Sequence, residues 1–263
     1  MNPRLIILAA GQGTRLQPLT NNLPKCMIEV CGKPIIQWQV ETARQAGIKD
    51  IFIVRGYLGD TINIPRVTYV KNPLYAETNM VETLFCAKEY FDNILIVSYG
   101  DILYEKQVLS KMFDSNGEIS VAVDIKWRPY WEERFDNPLN DAETLKTDST
   151  GRIIEIGQEP RGYNDIEAQY IGLTLFKAEG IKELKKIYNQ EKETNQRGGN
   201  YICRERNLSQ LFMTDLIQGL INQGCWVSSV PIDGGWLEID STSDLKIAEK
   251  YMAFNSGFLK INR

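Results

Sequence analysis

Two glycines, an arginine and a lysine near the start of the chain carry its strongest chemical signal. A strand-like apolar run from Leu5 to Leu8 empties into Ala9-Ala10-Gly11-Gln12-Gly13-Thr14-Arg15-Leu16, and Pro24-Lys25 follows. In a turn this small the backbone N–H groups can approach a polyphosphate closely, while Arg15 and Lys25 add positive charge. The pattern is not the Gly-x-x-x-x-Gly-Lys-Ser/Thr phosphate loop. It is also an incomplete Gly-x-Gly-x-x-Gly, because Leu16 stands where the third glycine belongs. Glycines required only by turn geometry would leave both cations unexplained. Lys25 is therefore the first candidate for a catalytic cation and Arg15 the second.

Two acids far apart in the chain make a candidate metal pair. Asp101 follows Ser98-Tyr99-Gly100 after an apolar run, and Asp240 closes the segment Trp236-Leu237-Glu238-Ile239. Brought together, two carboxylates need a cation to offset their repulsion. Either aspartate alone serves equally well as a turn or helix cap. The chain has no histidine, which excludes histidine-activated nucleophiles and histidine-held transition metals. An all-oxygen ligand set suits Mg²⁺. A phosphate or phosphonate nucleophile is already ionised at neutral pH, so positioning and charge neutralisation can carry its transfer without a general base.

A third group offers recognition chemistry for an anionic acceptor that also bears an ammonium group. Trp127, Tyr130, Trp131, Phe135, Tyr170 and Trp236 supply aromatic faces for cation–π attraction, with Asp165 or Glu167 as opposite charge. Arg128, Arg134 and Lys146 are candidates for the acceptor's phosphate or phosphonate oxygens. Core packing for the rings and solvated surface for the cations are the plain alternatives.

Strands alternating with helices must position these groups. After the glycine turn, Pro34 to Ala46 reads as a helix with an apolar stripe (Ile35, Ile36, Val40, Ala43) and Gly47 at its end. Strands are expected at 51–54, 67–70 and 94–97, with a helix capped by Asn79 and Glu82 running to about Tyr90. This alternation predicts an α/β fold: a Rossmann-like, mostly parallel sheet flanked by helices. Ligands in such sheets collect at the carboxyl ends of the strands, where the loops after the first four, Ala9 to Arg15, Arg55 to Tyr57, Asn72 to Asn79 and Ser98 to Asp101, would face one crevice. Between Val123 and Asp165 the pattern dissolves into aromatics, acids and prolines. A single domain over 1–263 with an inserted acceptor-binding or lid region over 124–172 is expected, holding short strands near 152–156 and 170–176. Helices are expected at 178–190 and 207–222, a polar loop at 195–200, and a last strand at 236–239 leading to a helix capped by Ser241 or Thr242.

Composition bounds the partners. At 263 residues and 43% apolar content the chain can bury a sizeable core. A net charge of −4 with pI near 5.2 argues against nonspecific nucleic-acid binding. No uninterrupted apolar stretch approaches membrane length, and no signal region opens the chain. A cytoplasmic protein without membrane or nucleic-acid partners is expected, with homo-oligomerisation open. Its five cysteines form no Cys-x-x-Cys pair and fit reduced thiols.

The glycine turn with Pro24-Lys25 resembles the opening signature of the small-molecule nucleotidyltransferases (sugar-phosphate nucleotidyltransferase-like), and the resemblance runs from residue 4 to about 250. Pro24-Lys25-Cys26-Met27, Thr78-Asn79-Met80-Val81, the Asn137 to Lys146 segment and Gln169-Tyr170-Ile171-Gly172-Leu173 make it most similar to the phosphocholine and phosphonate cytidylyltransferase branch. That resemblance implies Mg²⁺ held by Asp101 and Asp240. It implies a nucleotide held by Leu8, Ala9, Ala10, Gly11, Gly13, Thr14, Arg15, Lys25, Tyr75, Thr78, Asn79 and Ser98, although Asn79 also fits a simple helix cap. On the acceptor side stand Trp131, Arg128, Arg134, Lys146, Glu167, Tyr170 and Trp236. The implied reaction joins CMP from CTP, or another nucleotide from its triphosphate, to a small anionic acceptor such as 2-aminoethylphosphonate, another alkylphosphonate or phosphocholine, releasing pyrophosphate. A sugar-1-phosphate nucleotidyltransferase using UTP, CTP or dTTP is the alternative within the family. A nucleotide-sensing module without turnover is the alternative outside it.

Overall fold

A computed structural model describes residues 2–253. Seven strands form the central sheet: β1 (Arg4–Ala9), β2 (Asp50–Arg55), β3 (Thr68–Lys71), β4 (Ile94–Tyr99), β5 (Ile119–Asp124), β6 (Gln169–Lys177) and β7 (Val227–Ile232). Their spatial order is β7-β5-β6-β4-β1-β2-β3. All neighbouring pairs are parallel except those made by β6, which runs antiparallel to both β4 and β5. The mostly parallel α/β sheet expected from the alternation is therefore present. Near-continuous apolar runs such as Leu5 to Ala9 and Ile119 to Val123 suit strands covered by helices on both faces.

Several boundaries differ from the sequence expectations for physical reasons. The helix from Asn79 stops sooner: it spans Met80–Cys86 and a separate 3₁₀ turn follows at Lys88–Tyr90. Asn79 does cap it, its side chain accepting from the Met80 N–H at 2.9 Å, but Glu82 turns away to accept the Tyr188 hydroxyl at 2.7 Å. The helix expected from Asn207 starts at Met213, where the Asp215 carboxylate accepts the Phe212 N–H at 2.9 Å. β6, placed by the sequence reading within an insertion ending at 172, is a full nine-residue sheet strand. Its buried face-to-face pattern needs neighbours on both edges, and β4 and β5 supply them. The region that leaves the sheet lies between Asp124 and Gln169 and includes a helix at Trp127–Arg134 and a two-stranded ribbon, Leu145–Thr147 with Ile153–Ile156.

Two features of the fold set up the crevice. β1 is flanked by β2, which follows it after a helix at Ile35–Gln45, and by β4 on its other side, so chain connections diverge at β1 and open a gap above its carboxyl end. A short ribbon outside the sheet pairs Ile102–Tyr104 antiparallel with Trp236–Glu238, in the register Leu103↔Leu237 and Ile102↔Glu238. The Ile239 N–H extends it by donating to the Asp101 carbonyl at 3.0 Å. That ladder carries residues 101 and 240 to one place. Among the described residues no helix is long and apolar enough to cross a membrane.

Candidate active site

The crevice floor is a cavity of about 140 Å³ lined by Leu8, Ala9, Ala10, Gly11, Lys25, Tyr75, Thr78, Asn79, Tyr99, Gly100 and Asp101, among others. Loops after β1, β3 and β4 thus meet here, as the geometry of such sheets requires. Gly100 permits the meeting: a Cβ there would stand 2.6 Å from the Leu8 carbonyl oxygen. Any side chain would push Asp101 away from the glycine turn.

Gly13 plays a comparable part beneath the stem of Lys25. Its φ of +71° lies in the left-handed region, and a Cβ would stand 2.7 Å from the Lys25 Cβ. The turn continues as a 3₁₀ segment, Thr14–Leu16, that leaves Thr14 exposed and lets Arg15 reach back to the acids. Replacing Gly13 by alanine should strain this loop by about 1–2 kcal/mol and displace the lysine stem. The expected result is a roughly tenfold rise in nucleotide KM in initial-rate kinetics; an unaltered KM and kcat would show that the loop does not hold the nucleotide.

Three carboxylates converge beside Lys25. Asp101, Glu238 and Asp240 each offer an oxygen within 4.8 Å of the others. The Lys25 ammonium donates to Asp101 Oδ2 at 2.6 Å and to Asp240 Oδ1. Arg15 pairs with Asp240 Oδ2 at 2.9 Å and lies 4.0 Å from Asp141. Arg134 pairs with Glu238 at 2.7 Å and with Asp240 at 3.5 Å. The structure brings together the two aspartates paired from sequence, Asp101 and Asp240. Glu238 was missed, although Glu-x-Asp spacing on an extended segment puts both acids on one face.

The charges shift one another strongly. Burial alone would lower the Lys25 ammonium, but Asp101 and Asp240 outweigh it and hold the group above its ordinary value. Burial would likewise raise Asp240; Lys25, Arg15 and Arg134 prevail and keep its carboxyl below the usual range. Glu238 goes the other way, pushed up to about 8 by burial and by the neighbouring Asp240 and Asp101 against the pull of Arg134 and Lys25. Burial pushes the Cys26 thiol up to about 12, so this cavity-lining sulfur stays protonated and makes a poor nucleophile.

The donor set fits a hard divalent cation. It is all carboxylate oxygen, and Asp101 Oδ1 is buried with no hydrogen-bond partner. An orphaned buried carboxylate oxygen is costly unless a cation or water meets it. Bound there, Mg²⁺ would neutralise phosphate charge and polarise a phosphoryl oxygen.

The other sequence-derived residues divide. Ser98 does not line the cavity: it is fully buried beneath it, its hydroxyl donating to the Tyr99 carbonyl at 3.0 Å, because strand alternation turns it toward the Gln39 side. Trp236 and Trp131 are core side chains. The Trp236 indole donates to the buried Asp124 at 2.9 Å and that of Trp131 to Asp141 at 3.2 Å, and the two rings pack 5.9 Å apart. Their burial corrects the expectation that they face an acceptor.

Arg134 is also corrected. Its side chain is 0% exposed, and each of its three nitrogens meets an acid, Glu238, Asp240 or Asp244, which turns it inward rather than toward an acceptor anion. Arg128 is exposed, bonded to Glu132 at 2.8 Å and stacked over Tyr163. Lys146 sits between Glu155 and Asp165 at 3.4 and 3.0 Å, while Glu167 accepts from the Thr147 N–H and hydroxyl at 2.9 and 2.7 Å. These contacts occupy the ribbon's own surface. Tyr170 alone of the group adjoins the cavity wall, edge-on to Tyr99 at 5.7 Å.

Comparisons with known proteins supply the family. Residues 5–154 match the MobA-like NTP transferase domain. Over 253 residues the chain is 40% identical to the CTP:phosphoglutamine cytidylyltransferase of Campylobacter jejuni subsp. jejuni serotype O:2, covering 92% of this chain and 97% of that protein. The 2-aminoethylphosphonate cytidylyltransferase of Lancefieldella rimae is 26% identical, covering 98% and 94%. A solved CTP:phosphocholine cytidylyltransferase from Streptococcus pneumoniae superposes with a TM-score of 0.70 at 22% identity, covering 96% of this chain and all of that one, a likeness of fold. With the domain match and the full-length relative added to the convergence of cradle, lysine and acids, the chain belongs to the MobA-like NTP transferase family and is a nucleotidyltransferase.

Proposed function

We propose that the enzyme is a Mg²⁺-dependent cytidylyltransferase that transfers CMP from CTP to a small phosphorylated or phosphonylated nitrogen compound. The observation that carries the reading is the meeting of Asp101, Glu238 and Asp240 at Lys25 on the edge of a cavity floored by the glycine turn. The names of the relatives supply the nucleotide and the acceptor class: phosphoglutamine for the protein 40% identical over nearly the whole chain, 2-aminoethylphosphonate for the one at 26%. Phosphoglutamine is accordingly the first acceptor to try.

The chain's own residues divide the work. Backbone N–H groups of the turn and the Arg15 guanidinium hold the triphosphate. An ionised acceptor oxygen attacks the α-phosphorus, the bond from that phosphorus to the bridging oxygen breaks, and pyrophosphate leaves with the bond's electron pair. Lys25 stabilises the charge redistributed over the α-phosphoryl oxygens. No general base is required, in keeping with a chain that has no histidine.

The test is pyrophosphate release across a matrix of triphosphates and acceptors, with Mg²⁺ and with a chelator. CTP with phosphoglutamine, 2-aminoethylphosphonate or phosphocholine should exceed every other combination at least tenfold, and the chelator should abolish the signal. Turnover confined to hexose 1-phosphates would instead identify a sugar-1-phosphate enzyme. CTP binding without pyrophosphate under any acceptor would identify a sensor.

A further inference from the structure

Arg134 cannot touch the crevice, yet it is the most heavily engaged cation described in the chain. It ends the helix Trp127–Arg134, and its guanidinium meets three acids: Nη1 to Glu238 Oε2 at 2.7 Å, Nη2 to Asp240 Oδ2 at 3.5 Å and Nε to Asp244 Oδ1 at 2.9 Å. Rings of Tyr130, Trp131 and Phe135 surround it with centroids 5.3, 5.2 and 5.0 Å away. Rings and acids together fix the plane of the guanidinium. A surface arginine has no such restraint.

What that plane does can be read from the oxygens it takes. Arg134 binds one oxygen each of Glu238 and Asp240; the other Asp240 oxygen, Oδ1, is the one turned to Lys25 at the crevice. Asp244 completes the brace. While one of its oxygens accepts from Arg134, the other accepts the backbone N–H groups of Asp240 at 3.1 Å and Ser241 at 2.8 Å. Asp240 is thus held by its backbone through Asp244 and, at Oδ2, from the buried side by Arg134 at 3.5 Å and from the crevice side by Arg15 at 2.9 Å. Glu238 is held likewise: its backbone N–H donates to the Tyr130 hydroxyl at 2.9 Å, and that hydroxyl donates to the Glu238 carbonyl at 3.1 Å.

We propose that Arg134 is a positioning residue that acts through Glu238 and Asp240, tying down one oxygen of each carboxylate so that the remaining oxygens face a divalent cation shared with Asp101. The proposal rests on the reading that these acids take such a cation. Outer partners of this kind orient the direct ligands, and losing one typically weakens metal binding about 10–100-fold.

The conservative variant R134K separates orientation from charge, since lysine keeps the positive charge and loses the planar fork. Mn²⁺ alone is titrated into the full chain and free Mn²⁺ followed by electron paramagnetic resonance, alongside thermal unfolding and steady-state rates. R134K should bind Mn²⁺ about tenfold more weakly than the unsubstituted chain at a similar thermal midpoint, and its lost turnover should recover as Mn²⁺ is raised. A purely structural arginine would not give that recovery. Equal Mn²⁺ affinity in R134K, or lost turnover indifferent to Mn²⁺ concentration, overturns the proposal. Should R134K fail to fold, D244N loosens one arm of the brace while leaving Arg134 in place; it should bind Mn²⁺ severalfold more weakly, and unchanged affinity again overturns the proposal. If the unsubstituted chain binds no Mn²⁺, the cation reading itself falls and takes the proposal with it.

Discussion

Replacing Lys25 by methionine is expected to lower turnover about 10²- to 10³-fold with saturating CTP and acceptor while the chain stays folded. That magnitude is typical for removing one preorganised charge that acts on a transition state. Methionine keeps the apolar stem packed against Gly13, where the lysine stem now lies. Asp240 retains Arg15 at 2.9 Å and Arg134 at 3.5 Å, so the buried acid is not left without a cation. The loss should fall mainly on kcat, because an interaction that strengthens only as the α-phosphorus is attacked contributes little to ground-state binding. The check is pyrophosphate release with a thermal midpoint measured on the same preparation. Unaltered kcat at saturating substrate would remove Lys25 from the mechanism.

The parts of the site legible in the sequence were those written in contiguous residues. Ala9 to Arg15 with Pro24-Lys25 names the cradle because glycine, arginine and lysine types are themselves the signal, and the structure places Ala9, Ala10, Gly11 and Lys25 around the cavity, with Gly13 against the Lys25 stem and Arg15 on Asp240. Strand–helix alternation likewise exposes the parallel half of the sheet, β1 to β4, since fully buried strands read as apolar runs. The antiparallel β6 was harder. Its apolar run was recognised, but nothing local says whether such a run pairs within a ribbon or enters the central sheet between β4 and β5.

The acceptor side was least legible, for a reason of charge. Arg134 and Trp236 have residue types suited to ligand recognition, and the sequence cannot show that acids at 238, 240, 244 and 124 satisfy them internally. A buried cation is silent until its partners are located, and here they lie about a hundred residues away in the chain. The Asp101–Asp240 meeting spans still more sequence. It was inferable because two like-charged groups at strand ends need a shared cation and because the family resemblance assigns both aspartates to Mg²⁺. The ladder from Ile102 to Tyr104 against Trp236 to Glu238 makes the encounter, and its short strands carry little periodicity of their own.

Exchanging Asp240 for asparagine should have the largest combined effect on activity and stability, and a parallel D101N variant separates the two. Asp240 is 8% exposed and meets three cations, whereas Asp101 is 19% exposed and meets Lys25 alone among the ion pairs described. Asparagine cannot neutralise Lys25, Arg15 and Arg134, and removing one member of a buried ionic cluster costs about 3–5 kcal/mol. D240N should therefore lose at least 10³-fold in turnover and also unfold at markedly lower denaturant concentration. D101N should lose comparable turnover, since it too removes a carboxylate of the cluster, with a far smaller stability change. The stability gap between D240N and the unsubstituted chain depends on pH in a fixed direction. Because the folded carboxyl of Asp240 is held below its ordinary value, its contribution is present above the unfolded aspartate pKa of about 4 and disappears as pH falls through the folded value. Urea unfolding at pH 7 and in acid measures this directly. A gap that stayed constant from neutrality into acid would mean that the carboxylate's charge is not what ties the lysine, the two arginines and the end of the Trp236–Glu238 strand together.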